Sequence, residues 1–364
     1  MYIDPQLDPK FDPKFDPKFD PKFDPKFDPK FERLQRMGRY QGEVALPCVP
    51  ALADSYLNYL TALLQLAGLK LSPQRQTDLA QQLQQKLNQG YHSSQHSELI
   101  IRYHPATPPQ LGLVLDLQVQ INSLKSFYEK TVREHFGDRL ENMETEVFGK
   151  LANAKVTDIA ANLPPNSKIL DIGAGSGRNT LPLARMGLNV EAIELAEIFS
   201  TQLQKLSQQE GLAIKVIQAD ILNPLVRLPF AYYDLVILAE IIPHFREPEQ
   251  VRLVLAKVCD GLRPHGQVLL NTFIAHPTYI PTEAERQLAQ VSQAFLLTET
   301  ELEYCLQNLP LTLISRQPVY DYERDHLPEL AFPPSPWFEA WTRGTLVFGH
   351  EQAITLDWLL LQRI

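Results

Sequence analysis

A chain of 364 residues can form one large domain with additions, or two domains. Its residues are 44% hydrophobic and 21% charged, which is the balance of an ordinary globular protein. The formal net charge of −9 argues against a broad surface for nucleic acids or anionic membranes, since such a surface requires clustered Lys and Arg.

The cysteines and the N-terminal residues favour a cytoplasmic enzyme. Cys48, Cys259 and Cys305 are far apart and lack the spacing of metal ligands, so we expect three reduced thiols, two of them in helices, and no metal. The first residues show no signal-peptide pattern, and no run is long and apolar enough to span a bilayer. The sequence does not indicate an oligomeric state.

The first predicted segment, residues 1–43, is a disordered tail. The tetrapeptide Asp-Pro-Lys-Phe repeats without variation over residues 8–31. Proline at every fourth position excludes a regular helix and removes backbone donors, so the tract should be extended. Its phenylalanines could contact a partner, although we favour a slippage repeat tolerated at a terminus.

Residues 44–119 are predicted to form a small α+β appendage of unknown purpose. Ser72 and Pro73 have the residue types of a helix start, with serine as the N-cap and proline at the first helical position. Apolar spacing and turn residues predict two helices and then a hairpin, at Ala51–Leu69, Pro73–Gly90, Glu98–Tyr103 and Leu111–Leu117.

In the third segment, residues 120–364, strands alternate with helices. Helices are predicted at Ile121–His135, Met143–Ala161, Arg178–Arg185 and Pro248–Leu262, and strands at Lys168–Ile172, Asn189–Ile193, Ile214–Gln218, Asp234–Leu238 and Gln267–Phe273. This alternation predicts an α/β fold with a doubly wound, mostly parallel sheet.

The end of the chain breaks the alternation. Thr298 and Glu301 form a capping box for a helix that ends at Leu306. Strands at Leu311–Val319 and Thr355–Gln362, with no helix between them, predict an antiparallel pair at the sheet edge and seven strands in all. A cap loop, residues 320–351, lies between these strands. Its aromatic residues either line an acceptor pocket or pack on the sheet, and they include Trp337, Phe338 and Trp341.

A glycine-rich turn follows the first strand of the sheet, in the run Asp171-Ile-Gly173-Ala174-Gly175-Ser-Gly177. Glycine permits close approach of a ligand to the backbone and adopts positive φ at little cost. A nicotinamide or flavin site would require G-x-G-x-x-G, with its third glycine at the position of Arg178. The spacing found here resembles the first motif of the class I S-adenosylmethionine-dependent methyltransferases.

Later motifs extend this resemblance over roughly residues 127–364. Glu194 ends the second strand and would accept the ribose hydroxyls, and Asp220 would accept from the adenine amine with Ile221 beside the ring. The run from Asp234 to Phe245 and the turn Gly261–Gly266 are similar to the corresponding parts of small-molecule methyltransferases. The resemblance implies S-adenosylmethionine as cofactor, held by Asp171, Gly173, Ala174, Gly175, Gly177, Asn179, Glu194, Leu195, Asp220, Ile221 and Ala239.

His244 and Glu240 are the candidate catalytic residues. A sulfonium methyl is already activated, so orientation alone can supply about 7–11 kcal/mol of the barrier. His244 would act as a base where the acceptor needs one, or would be a structural histidine that caps its turn. Glu240 would contact the cofactor or orient His244. Tyr128 and Phe136 would form a lid over the cofactor or pack as ordinary helix residues.

We therefore predict methyl transfer to a small molecule or a short peptide. The fourth strand lacks the Asn/Asp-Pro-Pro-Tyr tetrad of methyltransferases that act on nucleobase or glutamine amides, which with the acidic charge argues against nucleic-acid substrates. Two alternatives stay open: a catalytically silent interaction protein with the same fold, and a nicotinamide-dependent oxidoreductase. The sequence does not reveal the acceptor.

Overall fold

A computed structural model describes residues 41–66, 71–105, 113–130, 133, 151–335, 337–345 and 354–364. Residues 1–40 of the predicted tail, Phe136 and the predicted helix start at Met143 lie outside this range. The described chain forms two compact units, which are Met1–Phe127 with Glu283–Ser292, and Tyr128–Thr282 with Gln293–Ile364. The boundary predicted between residues 119 and 120 precedes this division, and no sequence pattern indicated the return of Glu283–Ser292 to the first unit.

Eleven strands and ten helices are assigned in the described residues: β1 (Gly42–Pro47), α1 (Ala53–Leu66), α2 (Pro73–Ser93), β2 (Glu98–Pro105), β3 (Leu113–Gln120), α3 (Ala154–Ala160), β4 (Lys168–Ile172), α4 (Thr180–Arg185), β5 (Asn189–Glu194), α5 (Glu197–Gln209), β6 (Lys215–Gln218), β7 (Tyr233–Leu238), α6 (Pro248–Gly261), β8 (Leu262–Ala275), α7 (Glu283–Val291), β9 (Leu296–Leu297), α8 (Glu299–Leu306), β10 (Leu311–Pro318), α9 (Val319–His326), α10 (Phe338–Thr342) and β11 (Ile354–Arg363). Residues 124–130 are also helical.

The first unit is an antiparallel sheet, in the order β1-β2-β3, with helices α1 and α2. The predicted start of α2 is confirmed, because the Ser72 side chain accepts from the backbone N–H of Arg75. Leu60, Leu83 and Leu99 are fully buried in the core that the sheet shares with these helices. The hairpin of β2 and β3 was predicted, whereas β1 was not.

The second unit contains the large sheet, whose strand order is β10-β11-β8-β7-β4-β5-β6, with β9 paired to β8. Neighbours from β8 to β6 run parallel, and β11 runs antiparallel to both β8 and β10. Leu170, Val236 and Val268 are fully buried in its central strands. The predicted doubly wound, mostly parallel sheet is confirmed, and so is the antiparallel pair at its edge, in which β10 is outermost and β11 lies between β10 and β8.

The chain order places a topological switch at β4. From β4 the chain continues on one side to β5 and β6, and it then returns to the other side of β4 as β7 and β8. Open α/β sheets bind ligands at the carboxyl ends of the strands beside such a switch. The glycine-rich turn after β4, Glu194 at the end of β5 and Glu240 after β7 all lie at this edge.

The prediction of no helix between the last two strands is wrong, since α9 and α10 lie there. Both helices are short and bury only a few side chains, among them Glu323 of α9 and Trp341 of α10. The Trp341 ring contacts the ring of Phe273 on β8 edge-on, with centroids 5.3 Å apart. Helices of this length depend on such packing rather than on propensity, so their sequence signal is weak.

Cys48, Cys259 and Cys305 are free thiols and all three are buried, with Cys259 in α6 and Cys305 in α8, as predicted. Among the described residues, no helix combines the length with the apolarity that crossing a bilayer demands.

Candidate active site

Three glycines shape the turn between β4 and α4. Gly173, Gly175 and Gly177 have φ values of 74°, 55° and 98°, which L side chains rarely adopt. The N–H of Gly173 donates to the carbonyl of Ile193 at 2.7 Å, which joins the turn to β5. A Cβ atom at Gly173 would collide with the Ile241 side chain, and one at Gly177 would collide with Leu203 of α5. Gly173 therefore faces the turn after β7, whereas Gly177 permits packing between helices.

Glu194 fastens the glycine turn to the end of β5. One carboxylate oxygen accepts from the N–H of Gly175 and the other from the N–H of Ala196, each at 2.8 Å. The side chain is buried, which raises its pKa, while the backbone N–H donors act in the opposite direction. The carbonyl of Glu194 also accepts from the N–H of Ala219 at 3.0 Å, which brings the end of β6 and Asp220 beside it.

Asp171 lies beneath the turn rather than on its surface. It is 2% exposed, and the hydroxyl of Thr180 donates to it at 2.6 Å. Burial raises the pKa of this carboxyl to about 6, although the Thr180 hydrogen bond and the charge of Arg178 favour the ionised form. Asp171 thus links β4 to the first residue of α4.

Arg178 occupies the position at which a G-x-G-x-x-G motif would have glycine. Its Nη2 atom lies 2.5 Å from Oε1 of Glu240, and the two side chains are only 10% and 19% exposed. Glu240 has a φ of 61°, and its N–H donates to Oδ1 of the fully buried Asn271 at 2.7 Å. The ion pair therefore joins the glycine turn to the end of β7.

His244, in the turn after β7, makes a polar contact with Tyr128. The Tyr128 hydroxyl lies 2.7 Å from Nε2 of His244, and the rings meet edge-on with centroids 5.4 Å apart. Burial lowers the pKa of His244 to about 4, although the charge of Glu240 acts to raise it. Burial, together with the charges of Glu194 and Glu240, raises the pKa of Tyr128. Both side chains are therefore neutral near pH 7.

Asn179 makes a reciprocal pair with Asn153 in front of α3. Its side-chain oxygen accepts from the N–H of Asn153 at 3.0 Å, and its amide nitrogen donates to the Asn153 side chain at 3.1 Å. Both side chains are buried. The hydrogen bonds of the Asn179 side chain to Asn153 thus fix the start of α4.

Asp220 is exposed after β6 and accepts from the N–H of Leu222 at 2.8 Å. Lys257 of α6 holds this loop, because its Nζ atom donates to the carbonyls of Ile221 and Asn223, each at 2.7 Å. The remaining predicted residues occupy the same edge of the sheet; Ala174 and Ala239 are buried and Leu195 is partly buried.

Sequence reasoning missed several residues that organise this edge, namely Asn153, Arg178, Thr180, Asn271 and Glu323. Asn271 had a usable signal, since it and Thr272 are polar residues between the apolar residues of Val268–Leu270 and Phe273–Ala275 in β8. Arg178 directly follows the glycine motif. Glu323 had no local signal, because its partners are distant in the chain.

Residues 169–266 match the model of a family described as a methyltransferase domain. The chain is 31% identical over 144 residues to a ubiquinone biosynthesis O-methyltransferase of Rickettsia conorii, covering 39% of this chain and 44% of that protein. It is 28% identical over 144 residues to the enzyme of the same name from Pseudomonas aeruginosa, covering 39% and 53%. The chain therefore spans about half the length of these relatives.

A solved structure of similar fold is the phosphoethanolamine N-methyltransferase 2 of Haemonchus contortus in complex with S-adenosylmethionine. Its TM-score is 0.51 at 15% sequence identity, covering 70% of this chain and 64% of that chain. At this identity the likeness supports the fold alone.

Proposed function

We propose that the chain is a class I S-adenosylmethionine-dependent methyltransferase that transfers the methyl group of this cofactor to an oxygen of a small molecule. The Tyr128–His244 hydrogen bond is the observation that supports oxygen as the attacking atom, because a hydroxyl acceptor must lose a proton. The curated relatives are named O-methyltransferases, which agrees with this choice.

The residues at the sheet edge fit the cofactor. Glu194 uses its two oxygens for the N–H groups of Gly175 and Ala196, and a carboxylate has about four lone-pair sites, so it can also accept two ribose hydroxyls. Asp220 accepts from Leu222 through Oδ1, and its Oδ2 atom would accept from the adenine amine. The turn around Gly173 and Gly175 would allow the backbone to approach the remaining part of the cofactor.

When bound, the cofactor supplies a methyl group on a positively charged sulfur. The protein holds the acceptor oxygen in line with that carbon and excludes water, which can supply about 7–11 kcal/mol. The arrangement of Tyr128 and His244 suits removal of the acceptor proton. In the tautomer that leaves Nε2 of neutral His244 unprotonated, the Tyr128 hydroxyl would donate to that nitrogen, and its oxygen would be available to take the acceptor proton.

The Tyr128–His244 pair accounts for the proton that the acceptor hydroxyl loses. The acceptor hydroxyl gives its proton to the Tyr128 oxygen while the phenol proton moves to Nε2 of His244. The cofactor would supply the methyl group, whose new carbon–oxygen bond would replace its carbon–sulfur bond, with S-adenosylhomocysteine as the leaving group. The negative charge of Glu240 stabilises the imidazolium, and the proton then returns to solvent.

Calorimetry with S-adenosylhomocysteine tests the cofactor site. Glu194→Ala should raise Kd about a hundredfold, since it removes charged hydrogen bonds contributing roughly 1.5–3 kcal/mol each. Glu197→Ala is the matched control, because Glu197 is an exposed glutamate three residues later whose removal should leave Kd unchanged. Binding of a reduced nicotinamide in place of S-adenosylhomocysteine would refute the assignment.

Incubation with a methyl-labelled donor and fractionated small-molecule extracts tests the transfer. We expect a labelled methyl ether, identified by mass spectrometry. Tight binding of S-adenosylhomocysteine without any labelled product would instead favour a catalytically silent protein.

A further inference from the structure

Glu323 of α9 is a fully buried carboxylate that contacts residues far from it in sequence. Its Oε2 atom accepts from the N–H of Ala154 at 2.7 Å, and its Oε1 atom accepts from the N–H of Lys155 at 3.3 Å. Oε1 also accepts from the indole Nε1–H of Trp358 on β11 at 3.1 Å. Glu323 therefore satisfies the first two N–H groups of α3 and ties this helix to the sheet.

Because Glu323 caps α3, the side chain of Asn153 is not needed for capping. Asn153 is the N-cap residue of α3, yet its side chain makes no capping hydrogen bond. Glu323 supplies the cap from another helix, and the Asn153 amide pairs with Asn179 instead. Asn179 directly precedes α4 and lies two residues after Gly177, so the capped helix anchors the end of the glycine turn.

Electrostatic interactions also connect Glu323 to the glycine turn, through Arg178. Burial raises the pKa of Glu323, whereas the N–H groups of Ala154 and Lys155 and the positive charge of Arg178 favour its ionised form. Arg178 is at the same time paired with Glu240. The buried Glu323 and the partly buried Glu240 thus act on one partly buried guanidinium beside the turn, and loss of either charge would alter the position that Arg178 prefers.

We propose that Glu323 is a positioning residue of the methyl-donor site, which holds Asn153 on Asn179 and thereby keeps the glycine turn in its ligand-binding conformation. This inference rests on the proposed function. A glutamate with only a structural role would stabilise α9 against α3 without any effect on cofactor affinity.

Calorimetry with S-adenosylhomocysteine distinguishes the two roles. Glu323→Gln keeps the shape but places an N–H₂ group against a backbone N–H, so Kd should rise about tenfold. The matched control is Tyr322→Phe, which removes another hydrogen bond between α9 and α3, from the Tyr322 hydroxyl to Asp158 at 2.7 Å. This control should leave Kd unchanged even where it lowers Tm.

A spectroscopic measurement on the unaltered protein adds a second readout. The chain has three tryptophans, and the indole N–H resonance of Trp358, assigned with Trp358→Phe, reports the bond to Glu323. It should shift when S-adenosylhomocysteine binds.

The outcomes separate the two hypotheses. If the unaltered protein fails to bind S-adenosylhomocysteine, the proposed function is wrong. If it binds, but Glu323→Gln binds equally well or the Trp358 resonance does not respond, the inference about Glu323 alone is overturned.

Discussion

Glu240 adopts a left-handed backbone conformation, which costs a non-glycine residue about 1–3 kcal/mol. Two contacts offset this cost: the N–H of Glu240 donates to Asn271, and its carboxylate pairs with Arg178. The result is a carboxylate whose charge acts on both Tyr128 and His244. Strain of this kind concentrates at functional sites, and here it coincides with the residues proposed for proton transfer.

Substitutions in the Tyr128–His244 pair should separate catalysis from cofactor binding. Tyr128→Phe and His244→Gln each remove one member of the relay, so kcat should fall by about 10²–10⁴ with the acceptor that labelling identifies. Affinity for S-adenosylhomocysteine should stay unchanged. Full turnover by either variant would exclude the relay.

The pH dependence of kcat follows from the direction of the His244 shift. A base acts only when it is neutral, and burial lowers the pKa of His244 from 6.5 to about 4. Activity should therefore stay constant as the pH falls from 7 and should be lost only as it approaches about 4. A loss centred near 6.5 in a steady-state pH profile would show that His244 is solvated or is not the base.

At the scale of single elements, the glycine turn depends on space as well as on backbone freedom. Gly173 and Gly187 both have positive φ, at 74° and 81°. The two positions differ in their surroundings, because a Cβ at Gly173 collides with Ile241, whereas none of the described atoms lies within 4 Å of one at Gly187. Substitutions at Gly173 and Gly187 therefore distinguish the effect of backbone strain from the effect of a steric clash.

Alanine at these two positions should have unequal effects. Gly187→Ala should lower the free energy of unfolding by about 1–2 kcal/mol through strain alone and leave cofactor affinity unchanged. Gly173→Ala adds a clash of about 1–3 kcal/mol and should abolish binding of S-adenosylhomocysteine. Urea unfolding and calorimetry measure both effects. A double-mutant cycle with Ile241→Ala should show coupling, and equal losses for the two glycines would contradict the role of Ile241.

At the scale of the whole molecule, the sheet edge that we propose binds the cofactor is formed by residues that are far apart in the chain. The sheet places the ends of β4, β5, β6 and β7 together, and β11, the last strand, brings Trp358 to Glu323. By contrast, the Asp-Pro-Lys-Phe tract precedes β1, the first described strand. The prediction that this tract belongs to a disordered tail can therefore be tested by deletion.

Removal of residues 1–40 should leave both Tm and the affinity for S-adenosylhomocysteine unchanged. The reason is that β1 begins at Gly42 and the domain with the site begins further along the chain. Thermal unfolding and calorimetry of the shortened protein provide the measurement. A lower Tm or weaker binding would show that the tail contributes to the folded protein.

The sequence by itself determined the class of fold, and it predicted both the resemblance to a methyltransferase family and the edge of the sheet that we propose binds the cofactor. These follow from local patterns: strands that alternate with helices, three glycines in a short turn, and acids at the ends of strands. Such signals are contained within a few residues and need no partner from elsewhere. The proposed roles of Asp171, Glu194 and Asp220 were likewise motivated by motifs alone.

Only the tertiary structure decided which side chains meet at that edge. Arg178 pairs with Glu240, Tyr128 meets His244, and Glu323 caps a helix that precedes it by well over a hundred residues. The short helices α9 and α10 also form because they pack on the sheet. Contacts between distant residues depend on the geometry of the assembled sheet, and periodicity along the chain does not encode them pair by pair.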